Sequence, residues 1–165
     1  MMKIDLSKTK DLLGESFPFE CSEAFSEFEY SGMSYNFLEP VSVNGAYLPE
    51  EDGVMVTAEV KTVLSALCAR CLNDARVNIS LSLSETFSGS GEDDVYEYTG
   101  DVLVLDRAVL DNIILNIPLH VLCKEDCKGL CPHCGKDLNL ETCDCEIETK
   151  KANSPFAALD GLFRD

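Results

Sequence analysis

The chain has no tryptophan and only two histidines, and it sets 13 Lys or Arg against 30 Asp or Glu in 165 residues. Each shortage excludes something. Without Trp, a recognition surface must be built from Tyr, Phe or polar groups. A net charge of −17 leaves no basic patch to find by counting: residues 1–82 hold 13 acids and 6 bases, and residues 83–165 hold 17 and 7. The long-range field of such a chain opposes nonspecific attraction to phosphate, so DNA is not an expected partner and a basic protein fits better. Charge on this scale also serves solubility. No long apolar run occurs. The greasiest stretch, IILNIPLHVLC, is too short to span a bilayer. MMKIDLSKTKDLLGESF lacks the apolar core of a signal peptide. The expected location is therefore the cytoplasm, away from membranes, where thiols stay reduced. Nucleophile elbow, phosphate-cradling glycine loop and HExxH are all missing, and the carboxylates follow no acid/base pattern. No enzyme is expected.

The apolar content is ordinary, at 45%. A chain of this length can bury roughly 70% of its unfolded surface, so it does not need disulfides to fold. FPFEC at 17–21 alternates apolar and polar, and VSVNGAYL at 41–48 does so more weakly. In GVMVTAEVKTVLSALC, Val54, Val56, Ala58 and Val60 share a face opposite Thr57, Glu59 and Lys61. In RVNISLSLSETF, Val77, Ile79, Leu81, Leu83 and Phe87 oppose Asn78, Ser80, Ser82, Ser84 and Thr86. One-sided alternation belongs to antiparallel sheets. SGSGEDD at 88–94 reads as an exposed loop and DVLVL as a short strand. The period then changes: Val109, Leu110, Ile113, Ile114 and Ile117 recur at helical spacing behind Asp106 as a candidate cap, and Pro118 should end that helix. After a polar linker, SPFAALDGLF reads as a terminal helix capped by Ser154, with Phe156, Leu159 and Phe163 either docked on the core or left as a partner-binding handle.

The expected fold class is α+β: an antiparallel β-sheet or open barrel with one main helix and a C-terminal Cys-rich zinc knuckle. The expected division is a β-rich core at 1–122 with its helix near 107–117, a Cys-rich zinc-binding segment at 123–148, and a linker with a short helix at 149–165.

Nine cysteines in a reducing compartment point to metal or thiol chemistry. Six fall in CKEDCKGLCPHCGKDLNLETCDC, where almost nothing apolar lies between them. Cys131, Cys134, Cys143 and Cys145 have the spacing of a four-thiolate site, with Gly135 where a knuckle needs a permissive backbone. A metal would supply the folding energy that this segment cannot draw from a core. Cys68-x2-Cys71 at a hairpin tip and Cys123-x3-Cys127 beyond the helix form a candidate second Zn²⁺ set; alternatively Cys127 joins the knuckle and Cys123 stays free. Eight ionised thiols binding two Zn²⁺ would make the chain about four charges more negative. Cys21, on an apolar strand face, reads as a small buried hydrophobe. His133 reads as an exposed neighbour of the knuckle and His120 as a core histidine. CARC also has the spacing of a thiol–disulfide motif, but that motif sits at the start of a helix in a βαβ setting, whereas these flanks read as a hairpin.

CARCL after a strand, LNIPLHVLCKEDCKGLCPHCGKDLN, CDC and SPFAALDGL together resemble the YceD family of large ribosomal RNA subunit accumulation proteins. CKGLCPHCGKDLN is the most specific part, and the first 40 residues are not diagnostic. At the end, Ser154-Pro155-Phe156 stands where the family often has Asp-Pro-Arg. Some members lack most of the late cysteines, so the early CxxC hairpin is the more general feature. The resemblance implies a ribosome-biogenesis factor supporting accumulation or processing of 23S rRNA. Its partner would be the large-subunit precursor, met through that RNA or through a basic large-subunit ribosomal protein. The residues alone leave two rivals: a thiol–disulfide or metal-transfer protein, and a zinc-stapled interaction module unrelated to ribosomes.

Overall fold

The structure is a computed structural model that describes residues 1–89 and 96–145. The chain divides into two compact units, Met1–Cys127 and Lys128–Asp165. The first unit holds all the regular structure found among the described residues. The helix expected near the C-terminus lies outside them, as does most of the expected loop at 88–94.

Two long strands organise the first unit, β6 (Gly53–Leu67) and β7 (Asp74–Ser88), paired antiparallel from Val54↔Phe87 to Leu67↔Asp74. Their alternation is in phase, so Ala58 faces Leu83, Val60 faces Leu81 and Leu64 faces Val77, all buried. On the other side of β6 lies β5 (Val41–Glu50), which pairs next with β2 (Phe17–Glu23). The row Phe19–Gly45–Ala58–Leu83 shows why residue 45 is glycine. A Cβ there would stand 2.2 Å from the Thr57 carbonyl oxygen and 2.5 Å from Ala58 Cα, closer than any side chain tolerates.

Five further strands are short, and of these the sequence signals only the one in DVLVL. The hairpin of β3 (Phe28–Tyr30) and β4 (Met33–Phe37) turns through Ser31 and Gly32, with φ of 52° and 75°. Positive φ at both central residues is the hairpin-compatible turn geometry. β1 (Lys3–Asp5) pairs with β9 (Val102–Val104), and β8 (Tyr96–Glu97) runs parallel to the end of β7. The result is a mostly antiparallel sheet with one helix, and no pairing among the described strands closes it into a barrel.

That helix, α1 (Asp106–Leu115), lays Ala108, Val109 and Ile113 into the core beside Met2, Leu6, Leu103 and Leu105. Asp106 is not its cap. The cap position is Leu105, with no side-chain hydrogen bond, and the Asp106 carboxylate instead accepts the Met2 backbone N–H at 2.6 Å. The helix ends at Leu115, three residues before Pro118, and the side-chain amide of its C-cap Asn116 donates to the Asn112 carbonyl at 2.9 Å. His120 is exposed rather than in the core, because the chain has left the sheet by then. Cys21 is half-buried: it lies on β2, at one end of the sheet order, where burial on that face is incomplete. No helix among the described residues is long and apolar enough to cross a membrane.

Candidate metal centres

The β6–β7 hairpin ends in six residues that fold back on themselves. The Cys68 N–H donates to the Asn73 carbonyl at 2.8 Å and the Leu72 N–H to the Cys68 carbonyl at 3.0 Å, with Leu72 at φ 61°. Next to this tip lies the chain after α1: the Ala69 N–H donates to the Val121 carbonyl at 2.8 Å, and Cys127 N–H closes a turn onto the Lys124 carbonyl at 3.1 Å. Arg70 braces the two segments, its Nη1 donating to the Cys127 carbonyl at 2.8 Å. Cys68 Sγ is then 3.8 Å from Cys127 Sγ, and Cys71 Sγ is 3.6 Å from Cys123 Sγ. All four sulfurs lie within 4.8 Å of one another. Cys68, Cys71 and Cys127 are buried and Cys123 is exposed.

The second unit repeats the device locally. The Cys131 N–H donates to the Lys136 carbonyl at 2.8 Å and the Gly135 N–H to the Cys131 carbonyl at 2.9 Å, with Gly135 at φ 71°. These are the hydrogen bonds of the hairpin tip, position for position, down to the left-handed fifth residue. Asp137 and Asn139 fasten the loop beyond: Asp137 Oδ1 accepts the Asn139 N–H at 2.8 Å, and Asn139 Oδ1 accepts the Lys128 N–H at 2.9 Å. CDC then returns, so that Cys131, Cys134, Cys143 and Cys145 also lie within 4.8 Å of one another. Here only Cys131 is buried. His133 is exposed and belongs to neither cluster.

Both clusters could hold a metal ion. Four thiolates at about 2.3 Å around a tetrahedral ion stand about 3.8 Å apart, close to the 3.6 and 3.8 Å separations of the first cluster. A disulfide would need its sulfurs at about 2.05 Å. All eight cysteines singled out in the sequence fall in these two sets, and Cys127 lies in the first. What the sequence hides is the likeness of the two turns. Leu72 occupies the position that Gly135 fills, so the hairpin does not look like a knuckle. Arg70, the brace, carries no sequence signal of its role.

A family model described as "Large ribosomal RNA subunit accumulation protein YceD" matches residues 56–163. The chain belongs to the YceD family. The matched part begins inside β6 and takes in every cysteine of both clusters. Among curated relatives, an uncharacterised protein of Mycobacterium tuberculosis is 33% identical over 98 residues, 54% of this chain and 47% of that protein. The chain thus spans about half the length of the first curated relatives it matches. YlbN of Bacillus subtilis is 25% identical over 170 residues, covering 99% of this chain and 97% of that protein. The chloroplastic large ribosomal RNA subunit accumulation protein YCED homolog 1 of Arabidopsis thaliana is 27% identical over 155 residues, 73% of this chain and 48% of that protein. No solved structure matches the chain significantly.

In this YceD-family chain each cluster separates its thiols electrostatically. Burial alone would push the Cys68 thiol up, but N–H groups of Arg70, Cys123 and Cys71 outweigh it and bring the pKa down to about 6. N–H groups of Cys134 and His133 do the same for Cys131, also to about 6. Cys123, desolvated and facing the other sulfurs, is pushed up to about 12, and Cys145 is raised to about 12 chiefly by Cys134. Like charges this close cannot all ionise in the absence of a cation. A divalent ion removes that conflict and stabilises the thiolates together.

Proposed function

We propose that the protein is a cytoplasmic, non-enzymatic factor in large-subunit assembly, supporting accumulation or processing of 23S rRNA through a basic protein partner. The observation that carries this reading is the family match over residues 56–163, whose description names accumulation of the large-subunit RNA and no reaction. The charge of −17 supports the protein-mediated route, since a bare RNA surface is repelled at long range. In this reading both cysteine clusters hold Zn²⁺ as structural centres, with Cys68, Cys71, Cys123 and Cys127 in one and Cys131, Cys134, Cys143 and Cys145 in the other. Four thiolates leave no open coordination position for catalysis. A thiol–disulfide role fits less well: Cys68 and Cys71 are 0% and 3% exposed, and the strand β7, rather than a helix, follows them. Neither DNA nor a membrane is a partner in this reading.

The test is gentle purification of the tagged protein from its host, with and without nuclease, followed by identification of bound RNA and protein. Nuclease-resistant retention of a basic large-subunit protein is expected. Retention of 23S precursor that vanishes with nuclease and leaves no protein would make RNA the direct target. Absence of both would overturn the ribosomal reading. Metal analysis of the same sample should find two zinc ions per chain.

A further inference from the structure

Between Lys10 and Lys61 the chain has eleven Asp or Glu and no Lys, Arg or His, together with eight of its 13 aromatic residues. The fold gathers part of this segment into one feature. The β3–β4 hairpin pairs with β6 just at its end, Asn36↔Ser65 and Phe37↔Leu64, with the Leu38 N–H continuing onto the Val63 carbonyl at 2.8 Å, so its aromatic side chains are not all drawn into the core. Tyr35 is buried, but Phe25, Phe28 and Phe37 are half-exposed in a chain of ring contacts: Phe25–Phe37 at 5.5 Å, Phe28–Phe37 at 5.6 Å and Phe28–Tyr35 at 5.3 Å. Beside them an open groove of about 210 Å³ is lined by Ala24, Phe25, Phe37, Leu38, Glu39 and Pro40. Leu38 is 47% exposed at its edge. Sites for drug-sized ligands and cofactors begin at about 300 Å³, so the groove suits a side chain of a passing polypeptide.

The surroundings select that polypeptide. Glu39 forms part of the wall, and the exposed Glu27 and Glu29 alternate with Phe28 along the neighbouring chain. Among the described residues neither Glu27 nor Glu29 has a basic partner, whereas the Arg76 guanidinium stands 3.7 Å from Glu39 with both side chains in solvent. Ring faces next to carboxylates attract ammonium and guanidinium groups by cation–π and ionic terms together. They repel phosphate.

We propose that this groove is a docking site for an extended Arg/Lys-rich segment of a partner protein, with the aromatic wall taking a side chain and an acidic rim, Glu39 in the wall with Glu27 and Glu29 exposed on the neighbouring chain, drawing the flanking cations. The proposal rests on the reading of a basic protein partner and adds to it the surface that partner uses.

The probe is a fluorescein-labelled peptide of alternating arginine and serine around a central leucine, followed by anisotropy with the full chain. Saturable binding that weakens steeply with salt is expected. The triple variant Glu27→Gln, Glu29→Gln, Glu39→Gln should weaken it about tenfold, or about 1.4 kcal/mol. The control triple Glu50→Gln, Glu51→Gln, Asp52→Asn removes the same charge from the β5–β6 turn and should change it less than about twofold. Leu38→Ser should weaken it about threefold at low and high salt alike, as loss of an apolar contact does. All these positions are exposed, so folding is not at stake. Equal weakening by the two triples would reduce the effect to the overall field and overturn the site, as would absence of saturable binding. Nuclease-treated purification separates this proposal from its parent. A large-subunit protein held equally by wild type and rim variant sinks the groove and spares the ribosomal role. No ribosomal protein on either, with rim-dependent peptide binding intact, sinks the role and spares the groove. Sedimentation equilibrium covers the remaining occupant: self-association lost in the rim variant would make a second copy of the chain the ligand.

Discussion

Replacing Cys68 by Ser removes one ligand from the first centre and leaves its volume nearly unchanged. The sulfur is fully buried, and its link to Cys127 would close a loop of 59 residues in the unit Met1–Cys127. Restricting a loop of that length in the unfolded chain is worth about 4 kcal/mol by the chain-entropy relation for cross-links. That is a large share of the 5–15 kcal/mol typical of a domain. At about 3–4 °C per kcal/mol for a unit of this size, the melting temperature should fall about 15 °C. The assay is a four-way comparison by calorimetry or strand circular dichroism: wild type and Cys68→Ser, each loaded with zinc and stripped by a chelator. In stripped protein the substitution should cost only about 1 kcal/mol, the scale of one altered buried polar contact. The coupling between metal and thiol is the difference. A cost that is the same in loaded and stripped protein would refute the reasoning, because Cys68 would then act by packing alone.

Cys131→Ser should leave one zinc ion per chain by elemental analysis against two expected for wild type, and chelator should release the ion of the more exposed cluster first. Leu72→Gly should stabilise the first unit by up to about 1 kcal/mol in urea titrations, since a left-handed Leu carries about 1–2 kcal/mol of strain and glycine returns part of it as unfolded-state entropy. Gly135→Ala, at φ 71°, should weaken zinc retention at the second centre several-fold in competition with a chromogenic chelator. Tyr96, raised to about 12 by burial and by Asp111, which accepts its hydroxyl at 3.2 Å, should matter only at high pH. Its raised folded pKa supports stability that is complete below about pH 10 and lost as pH climbs toward 12, and Tyr96→Phe should remove that component from the pH–stability curve.

The long strands are legible because nothing interrupts their alternation: Val54 to Val60 and Val77 to Leu83 each put one face in the core without a break. The β3–β4 hairpin is not, because Phe28, Tyr30, Met33, Tyr35 and Phe37 form two runs of a few residues across a Ser-Gly turn, and half of that face stays in solvent. β1 is three residues long and exists only through its pairing with β9, about 100 residues away, which no local pattern encodes. Asp106 fails as a cap for a related reason: its carboxylate is claimed by the Met2 amide from the opposite end of the unit.

The two centres differ in how far chemistry alone identifies them. Cys131, Cys134, Cys143 and Cys145 fall within 15 residues, so a short segment announces its own ligand set. Cys68 and Cys71 meet Cys123 and Cys127 only because β7, β9 and α1 bring the chain back to the hairpin tip, and that return is tertiary. The same asymmetry predicts different consequences of losing metal. A local clip restrains about 14 residues, worth about 3 kcal/mol to a segment with little apolar core. A long-range clip holds a sheet that already buries Val56, Val60, Leu64 and Leu83. The second segment should therefore depend on its ion for any fold at all, while the first unit should depend on its ion for register at the hairpin tip and for the position of Arg70.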